Sequence, residues 1–255
     1  AAGADVITTN SYAVVPFHLG EQRFRRDGKM LADRAGRLAR EAANAAARKV
    51  KVAGSLPPLF GSYRPDLFRA KDAASIASVL IEGLKPHVDF WLAETQGSIA
   101  EAASLHDGLA GDTRPLWVSF TLEDGDADAA SKPRLRSQEP VADAVRAARD
   151  WKAEALLFNC SQPEVMAAAL DAARAAGGDA LTLGVYANAF PPQNEDAEAN
   201  VGLSPIRADL DPPNYLTFAR TWIGRGAGIV GGCCGIGPEH INAIRAAVDG
   251  TSGAE

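Results

Sequence analysis

The stretch Ala155-Leu156-Leu157-Phe158-Asn159-Cys160-Ser161-Gln162-Pro163 runs straight into an alanine-rich segment of helical spacing, Pro163–Ala176. An apolar run too short for a helix, then a turn signal, then an amphipathic helix opening on proline reads as one βα unit. Working outward, the same alternation recurs. Strands are expected at Asp5–Thr9, Val50–Gly54, Val88–Glu94, Leu116–Phe120, Ala155–Asn159, Leu181–Tyr186 and Gly228–Gly232. Helices are expected at Gly28–Arg48, Ala73–Lys85, Ser98–Asp107, Pro140–Trp151, Pro163–Ala176, Asn214–Gly224 and Pro238–Val248.

These make about seven units, one short of the eight that close a barrel. The expected fold class is therefore α/β, a (β/α)8 TIM barrel lacking its first βα unit, in a single domain over residues 1–255. Ala1-Ala2-Gly3-Ala4 passes directly into the first strand, as a chain without that unit would. The rival, an open doubly wound sheet, lacks its Gly-x-Gly-x-x-Gly turn after the early strands. Two polar loops, Thr121–Glu139 and Phe190–Pro213, follow strands, which puts them on the face where barrels carry their chemistry. Most of their residues read as solvated surface.

With 26 basic and 32 acidic residues the net charge is -6, and no Lys/Arg block is dense enough for a polyphosphate backbone. Nucleic acid is excluded as a partner. No apolar run approaches the roughly 18 residues a membrane span needs, and no leading signal pattern is present. The expectation is a cytoplasmic protein without membrane attachment.

Three cysteines, two of them adjacent, make a poor disulfide framework. Cys160 follows one strand, and Cys233 and Cys234 follow another, so all three belong to the same rim. Neighbouring side chains of a strand point to opposite faces, so Cys233 and Cys234 can converge only where the strand breaks. Gly231, Gly232 and Gly235 permit that break. On spacing alone the set reads as thiolate ligands of a metal, Zn²⁺ by preference, or, for Cys160, as a small buried apolar residue. A catalytic zinc keeps one position open, and a thiol placed there ionises near neutral pH. Alkyl transfer to sulfur is the reaction that such a site suits.

Asp5-Val6-Ile7-Thr8-Thr9-Asn10-Ser11-Tyr12, Asn159-Cys160, Gly184-Val185-Tyr186-Ala187-Asn188 and Gly231-Gly232-Cys233-Cys234-Gly235 with Pro238 following resemble the homocysteine S-methyltransferase family, from residue 1 to about 248. The resemblance implies a (β/α)8 barrel, with Zn²⁺ held by Cys160, Cys233 and Cys234. It also implies transfer of a methyl group from a sulfonium or ammonium donor to the homocysteine thiolate, giving methionine. The small-molecule partners it implies are thus homocysteine and a methyl donor. Glu94 matches the carboxylate that receives the homocysteine amino group, and Asn188 the asparagine that fills the fourth zinc position in the resting state. Asn10 and Tyr12 are expected to line the pocket, and Ser55 to be a turn residue. His18, His87, His106 and His240 are expected in structural roles, with His240 the closest to the site. The family's first strand ends in an Asp-Gly-Gly segment that contacts the amino-acid part of homocysteine, and no such segment occurs here.

Two other readings compete. The glycine-rich run Gly231–Pro238 could cradle a phosphate at a helix N-terminus, as in an aldolase- or synthase-like barrel. The other is a catalytically silent zinc-binding homologue.

Overall fold

A computed structural model describes residues 2–125, 128–192 and 205–251. Seven parallel strands form one sheet in strict sequence order: β1 (Val6–Thr8), β2 (Lys51–Leu56), β3 (Phe90–Gln96), β4 (Leu116–Phe120), β5 (Ala155–Asn159), β6 (Thr182–Tyr186) and β7 (Ile229–Val230). The helices are α1 (Pro16–Leu19), α2 (Glu21–Asn44), α3 (Ala70–Leu84), α4 (Ile99–Gly108), α5 (Val141–Asp150), α6 (Pro163–Ala175), α7 (Pro212–Gly224) and α8 (Pro238–Thr251). Every strand but β7 is followed by a helical crossover to its parallel neighbour, as βα units require.

The curl of the sheet shows in its two cores. Trp91, Val118, Leu156, Phe158 and Val185 pack outward against the helices, while Ala53, Phe90, Leu92, Trp117, Ala155 and Leu157 make a separate inner cluster. Both sets are apolar because these strands are covered on both faces, which is why they read as continuous runs and not as alternation. Above the inner cluster, toward the C-terminal ends of the strands, the inward positions turn polar: Ser55, Glu94, Ser119 and Asn159 are all buried. That change marks where the filled core ends and the site begins.

The two edge strands, β1 and β7, are not hydrogen-bonded to one another. Between them lies an opening of about 650 Å³, bordered by both edges and by Leu92, Trp117, Leu157 and Tyr186 from the inner face. One end of it is spanned by Arg245 of α8, whose Nη1 donates to Asp5 Oδ2 at 2.9 Å.

The bounds of β4 and β5 are those expected, and several others shift. Helix α2 begins at Glu21 and not at Gly28, because Gly20, at φ 77, makes the break. Gly28 is instead a packing position, where a Cβ would press on Phe24 and Val79. Strand β2 runs two residues past Gly54, which places Ser55 inside the sheet. The loop after β4 is also more structured than its composition implies. Leu122 pairs with Leu135, Arg134 with Pro140, and Leu122, Asp124, Leu135 and Arg136 are buried. Some of its polar residues pair inside the fold: Arg136 Nη2 donates to Asp124 Oδ1 at 2.6 Å. Of the loop Phe190–Pro213, residues 193–204 lie outside the described residues. No helix among the described residues is long and apolar enough to cross a membrane.

Candidate metal and substrate site

The three cysteine sulfurs converge, all within 4.8 Å of one another. Cys160 Sγ lies 3.2 Å from Cys233 Sγ, which lies 3.9 Å from Cys234 Sγ. Cys160 directly follows β5 at φ 55, a left-handed conformation that turns its side chain out of strand register. Cys233 and Cys234 sit in the turn after β7. Gly235 takes φ 79 there, and a Cβ on Gly232 would overlap the side chain of Ile236. The turn is pinned to its neighbour by Cys233 N–H donating to Ala187 O and Ala189 N–H donating to Cys234 O, both at 2.8 Å. Without a metal, hydrogen bonds from Cys160 and Cys233 hold the Cys234 thiol well below the usual thiol range, so it ionises first.

Asn159 anchors the other side. It is fully buried; its Oδ1 accepts from Thr95 N–H at 3.0 Å and from Ser119 Oγ at 2.6 Å, and its Nδ2 donates to Thr95 Oγ1 at 2.8 Å. Thr95 is likewise left-handed, at φ 59. One amide thus ties the ends of β3, β4 and β5 together, with Glu94 on one side of the tie and Cys160 on the other.

Glu94 is buried and faces the inside of the barrel wall. Ser55 Oγ donates to its Oε1 in a short hydrogen bond, and Tyr186 OH donates to its Oε2 at 3.3 Å. Burial raises its pKa, and these two donors work against that. Ser55 is fully buried and in turn donates its N–H to Thr9 Oγ1, so the expectation of a plain turn residue is corrected: Ser55 holds the carboxylate. Tyr12 OH contacts Ser62 Oγ at 2.7 Å, and its ring lies near enough that the charges of Cys160, Cys233 and Glu94 add to burial in raising its pKa. Asn10 is a correction of the opposite kind. It is exposed and borders a groove with Leu31, Ala35 and Leu38 of α2; from its segment, Thr9 and Ser11 are the residues that reach Ser55.

Asn188 is buried beside the cysteine turn; its Oδ1 accepts from Phe190 N–H at 3.3 Å, and its Nδ2 has no hydrogen-bond partner among the described residues. His240 Nδ1 accepts from Gly237 N–H and its Nε2 donates to Leu210 O, a structural role closing the start of α8. The same loop does not favour the phosphate reading. The N–H groups of Gly231, Cys233, Ile236 and Gly237 are given to protein acceptors and so are not offered to a phosphate.

All four tyrosines of the chain, Tyr12, Tyr63, Tyr186 and Tyr215, stand close enough to the cluster for a cysteine charge to bear on them. The sequence reading gave only Tyr12 a site role. Tyr63 OH is 2.9 Å from Cys160 Sγ, and Tyr215 OH donates to Gly231 O at 2.8 Å.

The homocysteine S-methyltransferase family matches residues 1–248. The chain belongs to that family. It is 28% identical to a betaine-homocysteine S-methyltransferase of Drosophila melanogaster, over 97% of this chain and 80% of that protein. Among solved structures, the Escherichia coli homocysteine methyltransferase MmuM in its metallated form superposes with a TM-score of 0.75 at 27% identity. Its oxidized form gives 0.76 at 26%. Each alignment covers 96% of this chain and 80% of the other. The barrel-type fold and the methyltransferase class expected from the sequence agree with these likenesses.

Proposed function

We propose that this chain moves a methyl group from a sulfonium or ammonium donor to the sulfur of homocysteine, with Zn²⁺ held by Cys160, Cys233 and Cys234. The observation that carries the reading is the convergence of three sulfurs from two separate strand ends. That donor set fits a thiophilic, tetrahedral ion and leaves room for one more sulfur. Zinc held there would keep a substrate thiol ionised near neutral pH.

The chain's own groups supply the rest. Glu94, steadied by Ser55 and Tyr186, receives the ammonium of homocysteine in a charge-assisted bond and so orients its sulfur. Asn188, buried next to the cysteine turn, is the residue that would offer a further ligand before substrate arrives. Burial keeps Tyr12 and Tyr186 protonated, so they act as hydrogen-bond donors and not as bases, and their ring faces favour a cationic donor. As the new S–C bond forms, the C–S or C–N bond of the donor breaks and its electron pair neutralises the leaving group. No general acid is needed.

The test is a panel of sulfonium and ammonium donors with homocysteine, following methionine with and without a chelator, alongside metal analysis of the purified protein. Methionine formation that tracks stoichiometric zinc is expected. A protein that purifies without zinc and turns over regardless of chelator would overturn the metal reading.

A further inference from the structure

Tyr63 touches the cysteine cluster, yet the chemistry above gives it no task. It lies after β2 at φ 63, a conformation costly for an aromatic residue, and is only 7% exposed. The surroundings that hold it there converge on one atom. Its hydroxyl is 2.9 Å from Cys160 Sγ, and the guanidinium of Arg136 sits 5.1 Å from its ring centroid. Arg136 is itself buried, with Nη2 donating to Asp124 Oδ1 at 2.6 Å and Nη1 3.7 Å from Glu123 Oε1. The other oxygen of Asp124 accepts the N–H of Gln162 at 3.0 Å, two residues beyond Cys160. One buried carboxylate therefore grips both the backbone that carries Cys160 and the cation lying on the ring that touches its sulfur.

We propose that Tyr63 is a positioning residue that donates a hydrogen bond to the metal-binding thiolate of Cys160, and that Arg136, acting through the tyrosine ring, sets the strength of that bond. A donor on a thiolate draws electron density away from sulfur, and a cation on the ring face makes the phenol a stronger donor. A phenol has one proton to give and a thiolate has none, so the 2.9 Å contact is a hydrogen bond from Tyr63 to sulfur. Cys160 is thereby the poorest electron donor of the three ligands. Cys233 and Cys234 have no equivalent hydroxyl contact among the described residues.

The inference rests on the reading of the cysteines as metal ligands, and Co²⁺ in place of zinc separates the two. Tyr63→Phe keeps the ring and its cation while removing only the hydroxyl. It is expected to retain its full complement of Co²⁺ and to shift the sulfur-to-cobalt charge-transfer band to longer wavelength, with Arg136→Lys shifting it the same way by less. A Tyr63→Phe protein with lowered melting temperature and an unmoved band shows a merely structural tyrosine and overturns the inference. Should Tyr63→Phe fail to fold, the Arg136→Lys band decides: a red shift supports the inference and an unmoved band ends it. A wild-type protein with no charge-transfer band at all removes the metal reading, and this inference with it.

Discussion

Strands β3, β4 and β5 are buried along their whole length, whereas β7 has two half-buried residues on an unpaired edge, yet both regions supply sulfurs to one cluster. Cys160 is 4% exposed and backed by the Asn159 tie and by Tyr63, while Cys234 is exposed and held mainly through its turn. The difference assigns unequal tasks. The buried side presets one ligand together with Glu94, and the edge brings two ligands to it, so a metal binding there fastens the least packed strand to the best packed ones. A site that staples an edge strand gains folding free energy from the metal as well as chemistry.

The largest effect should come from the ligands. Cys160→Ser and Cys234→Ser should each cost well over about 100-fold in methionine formation, since even residues behind a metal ligand typically cost 10–100-fold. They should differ without metal: Cys234→Ser should leave the chelated protein's urea midpoint nearly unchanged, while Cys160→Ser, which puts a hydroxyl at a buried position, should lower it. Equal midpoints would erase the contrast between the two sides. Next comes the tie itself. Asn159→Ala strands the buried Thr95 N–H and Ser119 hydroxyl, at about 1–3 kcal/mol for each unsatisfied group. Urea unfolding should show roughly 3 kcal/mol of destabilisation, with weakened zinc retention; intact stability would mean that the ends of β3 to β5 hold their shape unaided.

How much of this was legible in the sequence follows the same division. The bounds of β4 and β5 were readable because strands covered on both faces are unbroken apolar runs, and the cysteine turn because glycines flank it. Ser55 was misread because a serine after glycine signals a turn, whereas the polar layer at the top of a barrel interior places such residues inside strands. Tyr63 and Arg136 were invisible for a related reason. They meet only through the fold of a loop whose letters are mostly polar, and the buried Leu122 and Leu135 that organise it are lost among them.

A smaller effect is expected at Glu94. Glu94→Gln keeps the size, with one of the Ser55 and Tyr186 hydroxyls turning to accept from the new amide, but loses the charge offered to the homocysteine ammonium, so KM for homocysteine should rise about tenfold with kcat changing less. An unchanged KM would detach Glu94 from the substrate and leave it a member of the buried polar layer only.

The smallest effect probes the packed side alone. Glu101, the third residue of α4, sits just past β3, with Oε2 accepting from Gly97 N–H, Ser98 N–H and Ser98 Oγ. Burial raises its pKa to about 7 despite those bonds. A carboxyl raised in the folded state binds its proton more tightly there than in the unfolded chain, where the ordinary value is 4.5. Its stabilising contribution is therefore full below the unfolded pKa and is lost as pH climbs through 7. Between pH 6 and 8 the loss should be about 1 kcal/mol, and Glu101→Gln should remove that slope from denaturant titrations. If the variant and the wild type lose stability in parallel over this window, the carboxyl is not desolvated, and the packing around the end of β3 is looser than the contrast with β7 requires.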